Sequence, residues 1–290
     1  MKSYLSRCLR HVCAVACFAA ATATTVGVSA TSVQAAATNV TGRVATAGST
    51  SMEHLVGALG ESFSELNPQV KFTYNPTGSG AGITAAEEGR TDIGLSSRAL
   101  KGDELTKLDS HLVAVDGIVV IVNKNNPLHD LTLDELTALY KGEVTNWQEL
   151  GGDNRQVVLI GREAGSGTRD GFESVTNTKN QAKYRQELTS TGDVITTVSQ
   201  NPNAVGYASL AAVSDKIKVV TINGVSPSAD TVRDGSYKLQ RPFVMVTKKA
   251  TNPESKDAAL TPAVKAFIDY ALSPEASDII KLTGAIPVNQ

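Results

Sequence analysis

Short strand-like runs alternate with helix-like runs along the first hundred or so residues, and this alternation limits the folds that the chain can adopt. NVTGRVATAG, VKFTY and DIGL have the composition of strands, whereas STSMEHLVGALGESFSELNP and AAEEGR have the pattern of helices. Strands that alternate with helices form a parallel sheet with helices on its faces. The sequence therefore predicts an α/β fold, with any ligand held by the loops beyond the carboxyl ends of the strands.

A second α/β unit follows a long apolar run. HLVAVDGIVVIVNKNNP predicts a buried strand, and LTLDELTALYKG predicts a helix that is capped by Thr132 and ends before Gly142. VVLIG, AVGYASL and KIKVVTI predict further strands, and LQRPFVMVTK predicts a strand that returns to the first unit. The tail from Leu260 predicts two helices. The 253 residues after residue 37 are enough for two domains or one large domain.

The first 37 residues have the pattern of an export signal. Lys2, Arg7 and Arg10 precede the apolar run VCAVACFAAATA, and VQAAA provides a cleavage site of small residues. The run is shorter than the roughly 20 residues that span a bilayer. All three cysteines lie in this leader, so the mature chain would have neither a disulfide framework nor a thiol nucleophile. AVAC leaves open whether the protein is secreted freely or anchored by a lipid on Cys17.

The charge of the mature chain disfavours a nucleic-acid partner. The 27 Lys and Arg minus the three in the leader, against 29 Asp and Glu, give a net charge of −5. Nucleic-acid-binding domains carry basic patches and a high isoelectric point instead.

Four loops combine hydroxyl side chains with glycine or arginine: STS (49–51), GSG (78–80), SSR (96–98) and REAGSGT (162–168). Ser and Thr before helices are often simple N-caps. Capping does not require Gly-Ser-Gly twice, or an arginine four residues before Ser166. Helix N-termini, glycines, hydroxyls and an arginine fork are the groups that hold an anion. The loops therefore predict a site for an oxyanion.

Motifs for catalysis, nucleotides and metals are absent from the sequence. None of the loop serines lies in G-x-S-x-G, and GSGAG lacks the third glycine of a dinucleotide fingerprint. His54, His111 and His129 are far apart and have no cysteine ligands in the mature chain. We therefore predict no enzyme activity, no cofactor and no metal. A secreted phosphoesterase that uses Ser79 or Ser166 as its nucleophile is the enzyme alternative.

AGSTS, TGSGAGI, DIGLSSR, YKGEVTNW, REAGSGTRDGFE and NAVGYASL follow one another in an order that resembles the phosphate-binding proteins of ABC phosphate transporters. The resemblance covers essentially the whole mature chain. It implies a two-lobed clamp of the type II periplasmic-binding-protein fold, in which each lobe is a mixed sheet flanked by helices and crossing hinge strands join the lobes. It assigns residues 1–37 to the signal peptide, 38–120 and 243–290 to one lobe, and 121–242 to the other.

The resemblance also implies a set of phosphate ligands. Carried over by position, they are Thr50, Ser51, Ser79, Ser97, Arg162, Ser166, Gly167 and Thr168. Ser97 stands where the best-known members of the family have an aspartate, which accepts a hydrogen bond from a protonated phosphate oxygen and rejects sulfate. Because a hydroxyl can donate as well as accept, the sequence leaves open which group distinguishes the two anions. We interpret Glu53 and Asp170 as carboxylates placed in first turns for the helix dipole.

The resemblance implies an exported, monomeric protein that captures inorganic phosphate and presents it to the permease of an ABC transporter. The departure at Ser97 leaves a binder of sulfate, molybdate or another tetrahedral oxyanion as the alternative.

Overall fold

The computed structural model describes residues 40–250 and 260–288. The leader, Cys17 and the expected cleavage site therefore lie outside the described residues. No helix within the described ranges is long and apolar enough to cross a membrane.

The elements alternate between strand and helix, as the sequence predicts. The strands are β1 (Gly42–Gly48), β2 (Val70–Pro76), β3 (Ile93–Ser96), β4 (Leu108–Val122), β5 (Asp130–Leu131), β6 (Val158–Arg162), β7 (Gln186–Leu188), β8 (Ala204–Ser209), β9 (Lys218–Ile222), β10 (Gln240–Lys248) and β11 (Ile286–Pro287). The helices are α1 (Glu53–Leu66), α2 (Ser79–Glu87), α3 (Glu104–Lys107), α4 (Leu133–Lys141), α5 (Gly167–Val175), α6 (Thr191–Gln200), α7 (Ala229–Arg233), α8 (Pro262–Ala271) and α9 (Pro274–Leu282).

The 15-residue strand β4 belongs to both halves of the fold. The first part of β4 pairs antiparallel with β10, and β1, β2 and β3 continue the sheet on that side in the order β2-β1-β3-β10-β4. The last part of β4 pairs with β8 and β9, and the sheet continues to β6 and β7. We call the half built on β1–β3 lobe 1 and the half built on β6–β9 lobe 2.

Each lobe has its own apolar core. In lobe 1, α1, α8 and α9 bury apolar side chains against the sheet, and the rings of Phe63 and Phe267 meet edge to face with centroids 5.2 Å apart. In lobe 2, Phe172 of α5 stacks on Tyr207 of β8 at 4.2 Å, and Trp147 is buried in the same core. The expected α/β fold with two lobes is confirmed, while the lobe boundaries inferred from the sequence stay a prediction.

Local signals place both ends of α4 correctly but not the start of α2. Thr132 caps α4 in a capping box, and Gly142 ends that helix in the left-handed region at φ 76°. The sequence predicts a loop over TGSGAG, but α2 begins at Ser79. Gly78 takes φ 85°, which turns the chain sharply enough for the helix to start there. The first turn of α2 thus contains the serine that the sequence places in a loop.

Candidate functional site

Three strands lead directly into segments that meet between the lobes. β1 ends at Gly48 before a short 3-10 turn and α1, β3 ends at Ser96, and β6 ends at Arg162 before the turn that starts α5. The amide of Gly80, in lobe 1, donates to the carbonyl of Gly165, in lobe 2, at 2.9 Å. The carboxyl ends of the strands from both lobes therefore face each other, as expected for a ligand site in an α/β fold.

Side-chain hydroxyls of the two lobes form a compact buried cluster. The hydroxyl oxygen of Ser51 lies 2.8 Å from that of Thr168 and 3.1 Å from that of Thr191. Thr191 is also 3.3 Å from the hydroxyl of Thr50. Thr50 and Ser51 belong to lobe 1, and Thr168 and Thr191 to lobe 2. We call these four side chains the hydroxyl cluster.

Arg162 adds a buried positive charge to the edge of the hydroxyl cluster. Its side chain is 2 % exposed, and its Nη1 donates to the hydroxyl of Thr191 at 3.3 Å. Nε donates to the carbonyl of Leu188 at 3.0 Å, and Nη2 donates to the carbonyl of Thr189 at 2.9 Å and to Glu163 at 2.8 Å. These bonds fix the plane of the guanidinium, so that its charge is preorganised beside the hydroxyls.

A second pair of hydroxyls lies beside the start of α5. The hydroxyl oxygens of Ser79 and Ser97 are 3.2 Å apart, and the amide of Ser97 donates to Ser79 at 3.1 Å. A methyl group built on Gly167 would lie 2.5 Å from the Ser79 oxygen and 2.6 Å from the Ser97 oxygen. Gly167 therefore lets the first turn of α5 pack directly against lobe 1. Gly167 contacts Ser79 and Ser97, and its neighbour Thr168 belongs to the hydroxyl cluster, so the two groups of hydroxyls are adjacent.

Backbone amides at three helix starts have no acceptor among the hydrogen bonds of the described residues. They belong to Thr50, Ser51, Ser79, Ala81, Gly167 and Thr168. The first N–H groups of a helix carry partial positive charge and have no partner within the helix. Together with Arg162, they give the interlobe region the positive potential that an anion requires.

Ser166 plays a different part from the hydroxyl cluster. Its side chain is the N-cap of α5 and accepts from the amide of Arg169. Arg169 in turn donates to the carbonyl of Arg162 at 2.9 Å and pairs with Glu173 at 2.7 Å. Ser166 and Arg169 thus hold the turn between β6 and α5 that presents Gly167 and Thr168.

A tyrosine pair supports Arg162 from the core of lobe 2. The hydroxyl of Tyr207 accepts from the amide of Arg162 at 3.1 Å and donates to the hydroxyl of Tyr184 at 3.2 Å. Tyr184 donates to Glu173 at 3.1 Å. Burial raises the pKa of Tyr207 to about 12, so this hydroxyl stays protonated and keeps both bonds at physiological pH.

Ion pairs also join the lobes at the margin of the site. Asp170, in the first turn of α5, lies 3.0 Å from Nε of Arg98 and 2.5 Å from Nζ of Lys101. Glu104 accepts from both terminal nitrogens of Arg98 at 2.7 Å. The hydrogen bond with Arg98 lowers the pKa of Glu104, so Glu104 stays ionised well below neutral pH. Asp170 therefore lies in the first turn of α5, as the sequence indicates, and also forms ion pairs with two residues of lobe 1.

The structure brings all eight sequence-predicted site residues to the interlobe region, and it adds two. Thr191 joins the hydroxyl cluster from the start of α6, and Glu163 pairs with Arg162. Ser190, Thr191 and Gly192 combine hydroxyls with glycine as the predicted loops do, but no strand-like run precedes them to mark the loop. No group of three or more potential metal ligands occurs among the described residues.

An α/β fold with two lobes, and with anion donors from both lobes at their junction, defines a solute-binding protein. A family model described as a PBP superfamily domain matches residues 30–275. The phosphate-binding protein PstS of Bacillus subtilis is 32% identical over 254 residues, which cover 85% of this chain and 81% of the relative. The PstS of Pseudomonas aeruginosa is 27% identical over 279 residues, 87% of this chain and 85% of that relative. The chain therefore belongs to the phosphate-binding proteins of ABC phosphate transporters.

Solved structures are similar over the same extent. A substrate-binding protein of Clostridium perfringens, assigned to phosphate ABC transport and solved with bound phosphate, is 37% identical with a TM-score of 0.80. The similarity covers 86% of this chain and 100% of that one. An ABC-type phosphate transport receptor from Vibrio cholerae is 30% identical, with a TM-score of 0.67, over 84% of this chain and 99% of that one. The expected type II fold is confirmed.

Proposed function

We propose that this protein captures inorganic phosphate between its two lobes and delivers it to the permease of an ABC transporter for import. One observation carries the proposal: the buried guanidinium of Arg162 donates to the hydroxyl of Thr191, which lies 3.1 Å from the hydroxyl of Ser51 in the other lobe. An anion bound there would contact both lobes at once. Closure of the lobes and binding of the ligand are thereby coupled.

The donors of the site match a tetrahedral oxyanion. Amides at three helix starts, six hydroxyls and the arginine surround one region, and each of the four oxygens of a tetrahedral oxyanion can accept several such hydrogen bonds. The negative net charge of the chain does not oppose binding, because the donors are local and fixed in place. We propose Thr50, Ser51, Ser79, Ser97, Arg162, Ser166, Gly167 and Thr168 as phosphate ligands, and we add Thr191.

The relatives support the delivery step and the location. The two similar structures from Clostridium perfringens and Vibrio cholerae are a substrate-binding protein and a receptor of phosphate transport, and the first holds phosphate. We propose that the chain acts outside the cytoplasmic membrane as a monomer, and that it performs no covalent chemistry. Ser166 supports the last point, since its hydroxyl caps α5 and accepts from the amide of Arg169.

Calorimetric titration and a thermal-shift measurement on the ligand-stripped protein test the proposal. Phosphate should bind tightly and raise the melting temperature, and sulfate and molybdate at the same concentration should not. If sulfate or molybdate binds tightly in place of phosphate, the protein has an oxyanion site but phosphate is not its ligand. If none of the three binds, the proposed function is wrong. An assay with an aryl phosphate should show no turnover, and turnover that a Ser79 variant abolishes would make the protein a phosphoesterase.

Arg162→Lys tests the position of the site. Lysine keeps the charge and loses the planar fork, so phosphate should bind at least about tenfold more weakly. Arg162→Ala is less informative, because it would also remove the side-chain donor to the carbonyls of Leu188 and Thr189 and so disturb the loop that precedes α6. Arg233→Lys, in a surface pair with Asp230, is the matched control and should leave the affinity unchanged.

A further inference from the structure

The carboxylates near the site differ in how completely they are paired. Asp170 contacts Arg98 and Lys101, and Glu173 contacts Arg169 and Tyr184. Glu163 is different, because only its Oε1 accepts a bond, from Nη2 of Arg162 at 2.8 Å. Its Oε2 is buried and has no hydrogen-bond partner, and no other carboxylate among the described residues has such an oxygen.

The position of Glu163 is fixed by its surroundings. Its amide donates to the carbonyl of Leu188 at 3.0 Å, and its carbonyl accepts from the amide of Ser166 at 3.2 Å. A methyl group built on Gly78 of lobe 1 would lie 3.5 Å from Oε1. The carboxylate thus lies at the junction of the lobes, between the arginine of the site and the start of α2.

A buried carboxylate oxygen without a donor is unfavourable, and a ligand that carries an O–H group would relieve it. Phosphate retains a proton at neutral pH and can donate it, whereas sulfate has none to donate. The hydroxyls of Ser79 and Ser97 cannot make this distinction, because a hydroxyl rotates to donate or to accept. Glu163 in its ionised form can only accept.

We propose that Oε2 of Glu163 accepts a hydrogen bond from the O–H group of the bound anion and so makes the site selective for protonated oxyanions, phosphate and arsenate, over sulfate and selenate. The proposal rests on the proposed function. It makes selectivity follow protonation rather than size, because an unprotonated anion would place an oxygen against the buried Oε2 of a side chain that is 29% exposed overall and has no donor to offer.

Glu163 also holds Arg162, and this second role needs to be separated from the first. Loss of a positioning contact would weaken the binding of all tetrahedral anions, and loss of a negative charge would strengthen the binding of all of them. At mildly alkaline pH, where phosphate and sulfate are both dianions, these effects act about equally on the two anions and leave the ratio of phosphate affinity to sulfate affinity nearly unchanged. Loss of the hydrogen-bond acceptor for the O–H group of phosphate lowers the ratio of phosphate affinity to sulfate affinity, so this ratio is the decisive quantity.

The experiment measures phosphate, arsenate, sulfate and selenate affinities of the wild type, Glu163→Gln and Glu163→Asp by calorimetry. Glutamine has nearly the same shape but presents an amide that can donate to sulfate. The ratio of phosphate to sulfate affinity should fall by about tenfold to a hundredfold in Glu163→Gln, the range expected for a charge-assisted hydrogen bond. Glu163→Asp, which retains a carboxylate, should keep most of the selectivity.

Glu187→Gln is the matched control, since Glu187 pairs with Arg169 at 3.0 Å on the adjacent strand β7 and is about half exposed. It should leave the ratio unchanged. A ratio in Glu163→Gln equal to that of the wild type would overturn the proposal, and so would a Glu163→Asp variant that binds sulfate as well as phosphate. If the wild type itself binds no phosphate, the proposed function fails instead, so the two failures are distinguishable.

Discussion

Gly167 at the start of α5 packs against the hydroxyl of Ser79 at the start of α2, so closely that a single methyl group on Gly167 would lie 2.5 Å from the serine oxygen. The same methyl group would lie 2.9 Å from the carbonyl carbon of Ser97. One side of this contact belongs to lobe 2 and the other side to lobe 1. The absence of a side chain at position 167 therefore sets how near the lobes approach each other.

Gly167→Ala should weaken phosphate binding by about tenfold to a hundredfold, because overpacking typically costs about 1–3 kcal/mol and here falls on the closed arrangement of the lobes. The unliganded protein can relieve the clash by separating the lobes, so its melting temperature should change little. Calorimetric titration with phosphate and a thermal melt without it measure the two quantities.

Gly57→Ala is the control for this substitution, since a methyl group built at this position of α1 meets no atom within 4 Å. It should leave the phosphate affinity unchanged and stabilise the protein by about 0.5–1 kcal/mol through helix propensity. Equal phosphate affinities of Gly167→Ala and the wild type would contradict the role assigned to Gly167.

Asp170 should slow the release of phosphate, because its contacts with Arg98 and Lys101 join the two lobes and must break if the lobes separate. In Asp170→Asn we expect dissociation to be about twofold to tenfold faster, the effect of a partly buried ion pair, with little change in the association rate. Stopped-flow release measures the dissociation rate. In 1 M salt, where charges are screened over about 3 Å, the difference from the wild type should shrink.

Asp230→Asn provides the comparison for Asp170→Asn. Asp230 pairs with Arg233 at 2.8 Å within α7 and is almost fully exposed, so the variant should release phosphate at the rate of the wild type. The role of Asp170 would be refuted if the two variants released phosphate at the same rate.

The helices and strands could be predicted because their signals are local. Thr132 and Gly142 delimit α4 from within a dozen residues, and the apolar run of β4 needs no other part of the chain to indicate a strand. The start of α2 was missed because it depends on the backbone angle of Gly78, and a Gly-Ser-Gly sequence permits this angle without requiring it.

The site could be predicted in part, and the missing part depends on tertiary contacts. Thr191 follows the three-residue strand β7, whose residues Gln186, Glu187 and Leu188 give no apolar alternation to mark a strand. The distinguishing feature of Glu163 is one buried oxygen without a hydrogen-bond partner, which depends on how the folded chain surrounds it. No pattern within the loop REAGSGT could have indicated that feature.

The buried pair Asp116–Arg241 should dominate the stability of the region where β4 and β10 pair. The two side chains are 0% and 2% exposed and 2.8 Å apart, and Asp116 also accepts from the hydroxyl of Ser209. Arg241→Met leaves a buried carboxylate without its cation and should lower the free energy of unfolding by about 3–5 kcal/mol. Asp116→Asn combined with Arg241→Met should recover much of the loss. Urea denaturation measures the free energy of unfolding of Arg241→Met and of the double variant. An Arg241→Met protein as stable as the wild type would contradict this prediction.

His111 should make the protein less stable in mild acid. Burial lowers the pKa of His111 from 6.5, despite the opposing charges of Asp109 and Asp269, and its Nε2 lies 3.2 Å from the hydroxyl of Thr247 on β10. A histidine with a lowered pKa binds fewer protons in the folded state than in the unfolded state. Its contribution to stability is therefore present above about pH 6.5 and is lost as the pH falls through the folded pKa.

His111→Gln should remove this loss, so urea denaturation between about pH 5 and pH 8 should show a shallower decline than in the wild type. His54→Gln, at an exposed position of α1, should decline like the wild type, and parallel curves for all three proteins would refute the assignment to His111.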